Sequence, residues 1–156
     1  MVRAGICMYG LMPSGEINCA DPGLVPAMRF VSYLTYVKTI GAGTSVSYGA
    51  AFTAKKPMRV GTVCCGYADG YPRLWSLRGG EVLLHGKRCP ILGRMCMDQF
   101  MISLEDVPEA REGDEVTLIG RDGEEVLTAD EIAEKTDTIS YEILCNVSRR
   151  VPRIHS

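Results

Sequence analysis

MRFVSYLTYVKTI, residues 28–40, alternates its side chains between two faces and carries β-branched or aromatic residues in both registers. Phe30, Ser32, Leu34, Tyr36 and Lys38 fall on one side; Arg29, Val31, Tyr33, Thr35 and Val37 fall on the other. That period of two predicts a strand with both faces partly covered. Downstream, MRVGTVCCGY (58–67) predicts a second strand that closes at Gly66. Gly79-Gly80 is a turn signal between WSLR and EVLLH, and HGKR (85–88) reads as a hairpin connection into CPILG. DQFMISLEDV (98–107) and GDEVTLIG (113–120) add two more strands, with a turn at Arg121-Asp122-Gly123. The pattern changes only after that. Thr128, followed three residues later by Glu131, is a capping-box start for a short helix. A second helix is expected over 140–147, with Ile139, Ile143, Leu144 and Val147 on one face. Many short strands, glycine turns and two late helices predict a mainly β fold, a small Greek-key-like β-barrel or sandwich with two short C-terminal helices. Residues 1–24 read separately, as a strand end and a linker too short to fold alone.

Composition narrows the function classes. A chain of 156 residues can hold one domain with a real core and a short appendage. The net charge of −2 gives no electrostatic case for nucleic acid or an anionic membrane surface, and Arg149, Arg150 and Arg153 read as a solvated tail. The opening apolar run is too short for a signal-peptide core or a membrane span. Cys7, Cys19, Cys64, Cys65, Cys89, Cys96 and Cys145 form no CxxC pair, and the two histidines lie far from them, so no metal site is expected. The plain expectation is a cytoplasmic protein with reduced, mostly buried thiols.

Four stretches hold more glycine, polar and aromatic residues than a strand scaffold needs: VSYGA (46–50), GYADGYPR (66–73), GRMCMDQ (93–99) and SYEILC (140–145). Each has an ordinary reading. VSYGAAF can be a strand with Tyr48 packed on the face of Val46 and Ala50. GYADGYPR can be a loop built on an Asp-Gly turn. GRMCMDQ can be a strand whose Arg94 pairs with Asp98, and SYEILC a helix with Tyr141 near its start.

Taken together and in this order, the stretches resemble the C-terminal part of bacterial alanine racemase, the pyridoxal-phosphate enzyme that interconverts L- and D-alanine. MVRAGICMYGLMPS, AGTSVSYGA, GYADGYPR, GKRCPILGRMCMDQ, GDEVTLIG and SYEILCNVSRRVPR carry the resemblance along nearly the whole chain. It implies that residues 1–24 are the end of an N-terminal (β/α)₈ barrel plus a linker, and that 25–156 are the C-terminal β-domain. Arg3 matches the arginine facing the pyridine nitrogen of pyridoxal 5'-phosphate, and Gly5 and Ile6 match backbone donors to its phosphate. A guanidinium cannot accept a proton, so it leaves the pyridine nitrogen unprotonated and tempers the ring as an electron sink.

Tyr48 matches the catalytic tyrosine, the base on one face of the substrate α-carbon. Racemisation requires a proton to leave one face and return to the other, so two acid/base groups must flank that carbon. A free phenol has a pKa of about 10, so such a base needs positive charge or hydrogen bonds near it. Met97 matches the residue whose backbone N–H meets the substrate carboxylate, with Asp98 and Arg94 lining the approach. Tyr67 matches a tyrosine of the access channel, and Tyr141 one that reaches the cofactor phosphate and narrows the site, favouring alanine over serine. The second base, the lysine that binds the cofactor, has no counterpart here: Lys38, Lys55, Lys56, Lys87 and Lys135 match nothing catalytic. The resemblance further implies a head-to-tail homodimer in which Tyr48, Met97 and Tyr67 serve the partner's barrel, while Arg3, Gly5, Ile6 and Tyr141 serve their own. The chain reads as a C-terminal piece, inactive and without cofactor by itself, with residues 1 to about 20 poorly ordered or docked on a neighbouring molecule. The competing readings are a serine-type racemase domain and a non-catalytic β-barrel binding or dimerisation module. Exposure of the Tyr48 hydroxyl separates a site tyrosine from a packed one.

Overall fold

The computed structural model describes residues 1–13 and 23–155. The long strand foreseen at 28–40 is β1, Phe30–Ile40. Its first half buries Phe30, Ser32 and Leu34 on one face and half-buries Val31 on the other, while Tyr33 and, past a register shift after Leu34, Tyr36 stay about half exposed. The reason is its position in the sheet. Eight further strands follow: β2 (Ser45–Val46), β3 (Phe52–Thr53), β4 (Met58–Val63), β5 (Glu81–Leu84), β6 (Lys87–Leu92), β7 (Phe100–Ser103), β8 (Glu115–Asp122) and β9 (Glu125–Leu127). β1 pairs antiparallel with β8 through Phe30 to Tyr33 and with β4 from Leu34 onward. Hydrogen bonding then runs β4-β7-β6-β5-β8, so the strands close into a ring with β9 appended to β8. Closure leaves β1 an inner face in the core and an outer face toward solvent.

The ring interior is filled from the motif loops as much as from the strands. Tyr71 is fully buried, meeting Phe30 edge-on at 6.0 Å and stacking on Phe100 at 5.9 Å. Its hydroxyl donates to the Leu118 carbonyl at 3.2 Å, and burial pushes the phenol up in pKa, so it stays a neutral donor. Trp75 is equally buried, and its indole N–H donates to the Glu81 carbonyl at 2.9 Å. The hairpin foreseen at HGKR joins β5 to β6, with His85 and Gly86 both at positive φ as a two-residue primed turn demands. The turn expected at 121–123 falls slightly later, after Asp122.

Two short helices close the chain, α1 (Ala129–Lys135) and α2 (Ser140–Asn146). Thr128 caps α1 as expected, its Oγ1 accepting from the Glu131 N–H at 3.0 Å. The return half of the capping box does not form, because the Glu131 carboxylate pairs with Arg88 at 2.8 and 3.1 Å instead. On α2, Ile143 and Val147 are buried as expected, but Ile139 precedes the helix and is 61% exposed.

At the N-terminus, a 3-10 turn over Gly5–Tyr9 leads to Leu11, and Ile6 and Leu11 join the main core cluster. The Ala27 N–H donates to the Tyr9 carbonyl at 3.0 Å. Residues 5–11 therefore dock on the chain's own core, contrary to the expectation of a loose N-terminal segment; its remainder, at 14–22, lies outside the described residues. Burial of Ile6 and Leu11 and the hydrogen bond from Ala27 are the contacts that seat the segment.

Arg88 on β6 ties four elements together. It bonds Glu125 at 2.9 Å and the Val126 carbonyl at 2.7 Å on β9, Glu131 on α1 and, at 3.4 Å, Glu81 on β5. Its side chain is 30% exposed, so each contact is modest, yet its removal leaves three half-covered carboxylates facing one another. Arg88→Ala is expected to cost about 2–3 kcal/mol, read as a fall in Tm of about 4–12 °C. The hydrogen bond from Arg88 holds Glu131 below the usual carboxylate value of 4.5. A carboxylate with a depressed folded pKa stabilises fully above its unfolded value, and that stability is lost as pH falls through the folded value. Across this acid range the unfolding free energy should therefore depend less on pH in Glu131→Gln than in the parent.

Candidate functional site

The motif stretches form a chain of contacts: VSYGA is bonded to GRMCMDQ, GYADGYPR lies against GRMCMDQ, and GYADGYPR meets the end of the helix that SYEILC begins. VSYGAAF is not one strand: β2 ends at Val46, and a 3-10 turn over Tyr48–Ala50 intervenes before β3. β2 and β3 pair with each other, and Val46 and Phe52 pack in a small cluster with Ile40, Met58, Val60 and Leu92. Tyr48 is lifted off both strands and is 74% exposed. The packed-strand reading of Tyr48 fails; Tyr71 is the packed tyrosine of this fold.

GRMCMDQ is also not a strand but the loop between β6 and β7. Met95 anchors it, buried in the core, and its N–H donates to Ser76 Oγ at 3.0 Å. On one side of that anchor, Arg94 exchanges two backbone hydrogen bonds with Ser47 Oγ, each 2.8 Å. On the other side, the GYADG loop lies against Cys96 and Met97. The Tyr67 N–H donates to the Cys96 carbonyl at 3.2 Å and the Ala68 N–H to the Met97 carbonyl at 3.0 Å. The Met97 N–H has no acceptor among the described residues, and the residue is about half exposed. That leaves a backbone donor available to an anionic group.

The same loop is stitched to α2. Asp69 Oδ2 accepts from the Gly66 N–H at 2.9 Å, and the Asp69 carbonyl accepts from the Ser148 N–H at 2.9 Å. Gly70, at φ 94°, passes so close that a β-carbon there would lie 1.8 Å from the Asn146 carbonyl oxygen. Arg150 bridges the two loops, 2.7 Å from Asp98 and 3.4 Å from Asp69. The expected pairing of Asp98 with Arg94 is thus replaced by Asp98 with Arg150. Nor is the arginine cluster a solvated tail, since Arg153 donates to the Val147 and Val151 carbonyls, both at 2.7 Å. Arg150 and Ser47 are the site residues that reading the sequence missed. Their partners lie about 50 positions away, beyond any local pattern.

A second set gathers separately. Gly5, Ile6 and Tyr141 line an open cleft of about 200 Å³ with Tyr9, Leu144 and Cys145. Tyr48, Tyr67, Arg94, Met97 and Asp98 take no part in it, and Arg3 is exposed outside its lining. Gly5 and Ile6 open a 3-10 turn, where the first N–H groups have no partner within the turn. Backbone donors beside a phenol are the groups a phosphate such as that of pyridoxal 5'-phosphate takes, while Arg3 stands outside this cleft. No group of three metal-ligating side chains occurs among the described residues, and no helix there is long and apolar enough to cross a membrane.

The thiols differ from the expectation of burial. Among the described cysteines only Cys65 and Cys89 are buried; Cys64 and Cys145 are exposed. Burial pushes Cys89 up to about 12 and raises Cys65 further. Native-state alkylation mapped by mass spectrometry should label Cys64 and Cys145 quickly and spare Cys65 and Cys89 until denaturant is added.

A closed antiparallel β-ring with two short C-terminal helices, presenting exposed tyrosines from hydrogen-bonded loops, defines the class of this domain as a small closed β-fold. Residues 27–155 match the family described as alanine racemase, C-terminal domain. The alanine racemase of Halothermothrix orenii is 47% identical over 154 residues, 98% of this chain and 40% of that protein. Alanine racemase 1 of Bacillus subtilis is 51% identical over 154 residues, 98% of this chain and 39% of its own length. The crystal structure of alanine racemase from Bacillus anthracis with bound L-Ala-P superposes with a TM-score of 0.87 at 46% identity, over 96% of this chain and 38% of that one. The chain belongs to the alanine racemase family and corresponds to its C-terminal domain. It spans about two fifths of the length of these relatives.

Proposed function

We propose that this chain is the C-terminal part of an alanine racemase that supplies D-alanine for peptidoglycan in the cytoplasm. In this reading residues 1–24 end an N-terminal (β/α)₈ barrel, and 25–156 form the domain that presents Tyr48 to the site of a partner subunit. Pyridoxal 5'-phosphate, when bound, supplies the electron withdrawal that acidifies the substrate's α-hydrogen. Gly5, Ile6 and Tyr141 would hold its phosphate end, and Arg3 would face its ring nitrogen. The Tyr48 oxygen takes the proton as phenolate, or returns it as phenol, on one face of the α-carbon. The Met97 N–H fixes the substrate carboxylate, while Arg94 and Asp98 line the approach and Tyr67 narrows it. Tyr141, on the rim of the cleft, favours a methyl side chain over the longer one of serine.

The observation that carries this reading is the 74% exposure of Tyr48, on a turn whose Ser47 hydroxyl is clasped to Arg94 in the separate loop that carries Met97. A non-catalytic barrel has no reason to hold a phenol off its own surface beside an unpaired backbone donor. The test compares this chain with the protein extended to the length of its relatives, both given pyridoxal phosphate and L-alanine. The long form should form D-alanine and this chain alone should not. Turnover by this chain, or none by the long form, would overturn the proposal.

A further inference from the structure

The residue before Tyr48 occupies backbone space that side chains avoid. Ser47 has φ 69° and ψ 172°, a region that is essentially glycine-only. Beyond the tyrosine, Gly49 takes φ 71° at no cost and Ala50 sits at φ 48°, a second non-glycine residue at positive φ. Glycine would fit at 47 without strain, so what serine adds is its hydroxyl. That hydroxyl makes a two-way clasp: it accepts from the Arg94 N–H and donates to the Arg94 carbonyl, both at 2.8 Å. Gly93 makes the approach possible, since a β-carbon there would lie 2.8 Å from Ser47 Cβ. The segment on the far side is rigidly seated, because Met95 is buried and bonded to Ser76 Oγ. Met97 stands two residues beyond that anchor.

We infer that Ser47 is a positioning residue for racemisation, its hydroxyl locking the strained turn so that the Tyr48 phenol is fixed relative to the Met97 N–H. This rests on the reading of Tyr48 as the base. A base held only by a flexible turn would still be exposed, yet it would lose the alignment that makes proton transfer fast.

The experiment uses the full-length racemase with Ser47→Ala and Ser47→Gly, alongside Tyr48→Phe. Ser47→Gly removes the hydroxyl while relieving the backbone, so it should fold at least as stably as the parent. Both Ser47 variants should lower kcat by about 10- to 100-fold with KM little changed. The decisive readout is the isotope effect with α-deuterated D- and L-alanine. It should rise for the enantiomer whose proton faces Tyr48 and stay put for the other. A reduced fraction of folded enzyme would lower kcat and leave both isotope effects unchanged; that result overturns the inference, as does a Ser47→Gly enzyme with parental kcat. Full activity in Tyr48→Phe sinks the base assignment and this role with it. Loss in Tyr48→Phe beside unaffected Ser47 variants sinks this role alone.

Discussion

Tyr48→Phe in the full-length, cofactor-loaded protein is expected to lower alanine racemisation by about 10²- to 10⁴-fold, the usual span for removing a general acid or base. The fold should not notice. The side chain is 74% exposed, contributes nothing to either core cluster and donates to no described residue. Carried on this chain alone, the substitution should therefore leave the melting temperature with the parent's, which separates this loss from the losses that misfolding causes. A two-base arrangement makes a sharper demand. With Tyr48 gone, the base on the opposite face can still remove and replace the proton of one enantiomer. In deuterated water the variant should exchange the α-hydrogen of that enantiomer while inverting neither. Equal loss of exchange from both enantiomers would count against Tyr48 as one of two opposed bases. Racemisation at the parental rate would remove it from the chemistry altogether.

The sequence made legible those elements whose cause is local. β1, the His85-Gly86 hairpin and the Thr128 cap all follow from patterns a few residues long, and each formed where expected. What depended on distant partners was not legible. β1 gave no sign that its first half would pair with β8 and its second with β4, and that double pairing is what closes the ring and exposes its outer face. Glu131 looked like half of a capping box until Arg88, 43 residues away, took its carboxylate. The site divides in the same way. Tyr48 and Tyr71 both follow glycine-rich polar residues, and no local rule says that one is lifted into solvent and the other stacked in the core. Recognition of the four stretches as a set located Tyr48. The positive φ of Ser47, a residue with no local reason to adopt it, came only from the structure.

Gly70→Ala should be the most damaging small substitution in the β-domain itself, and it can be measured on this chain by denaturant or thermal unfolding. Two costs coincide at Gly70. Its φ of 94° strains any residue with a β-carbon, and that β-carbon would lie 1.8 Å from the Asn146 carbonyl oxygen and 2.8 Å from Val147 Cα. The obstacles are backbone, so no side chain can swing aside; either the GYADG loop or the end of α2 must move. The expected loss is about 3–5 kcal/mol, or about 6–20 °C in Tm for a domain of this size. Gly79→Ala provides the control. Its φ of 69° carries a similar strain, but nothing lies within 4 Å of the added carbon, so about 1–2 kcal/mol is expected. The difference between the two isolates the contact between loop and helix from the strain common to both. That contact also couples stability to the site, because displacing the end of α2 shifts the helix carrying Tyr141, while displacing the loop shifts Tyr67 against Met97. If the two alanine variants unfold within about 1 kcal/mol of each other, the loop does not rest on the helix, and the chain of contacts joining the motif stretches stops short of SYEILC.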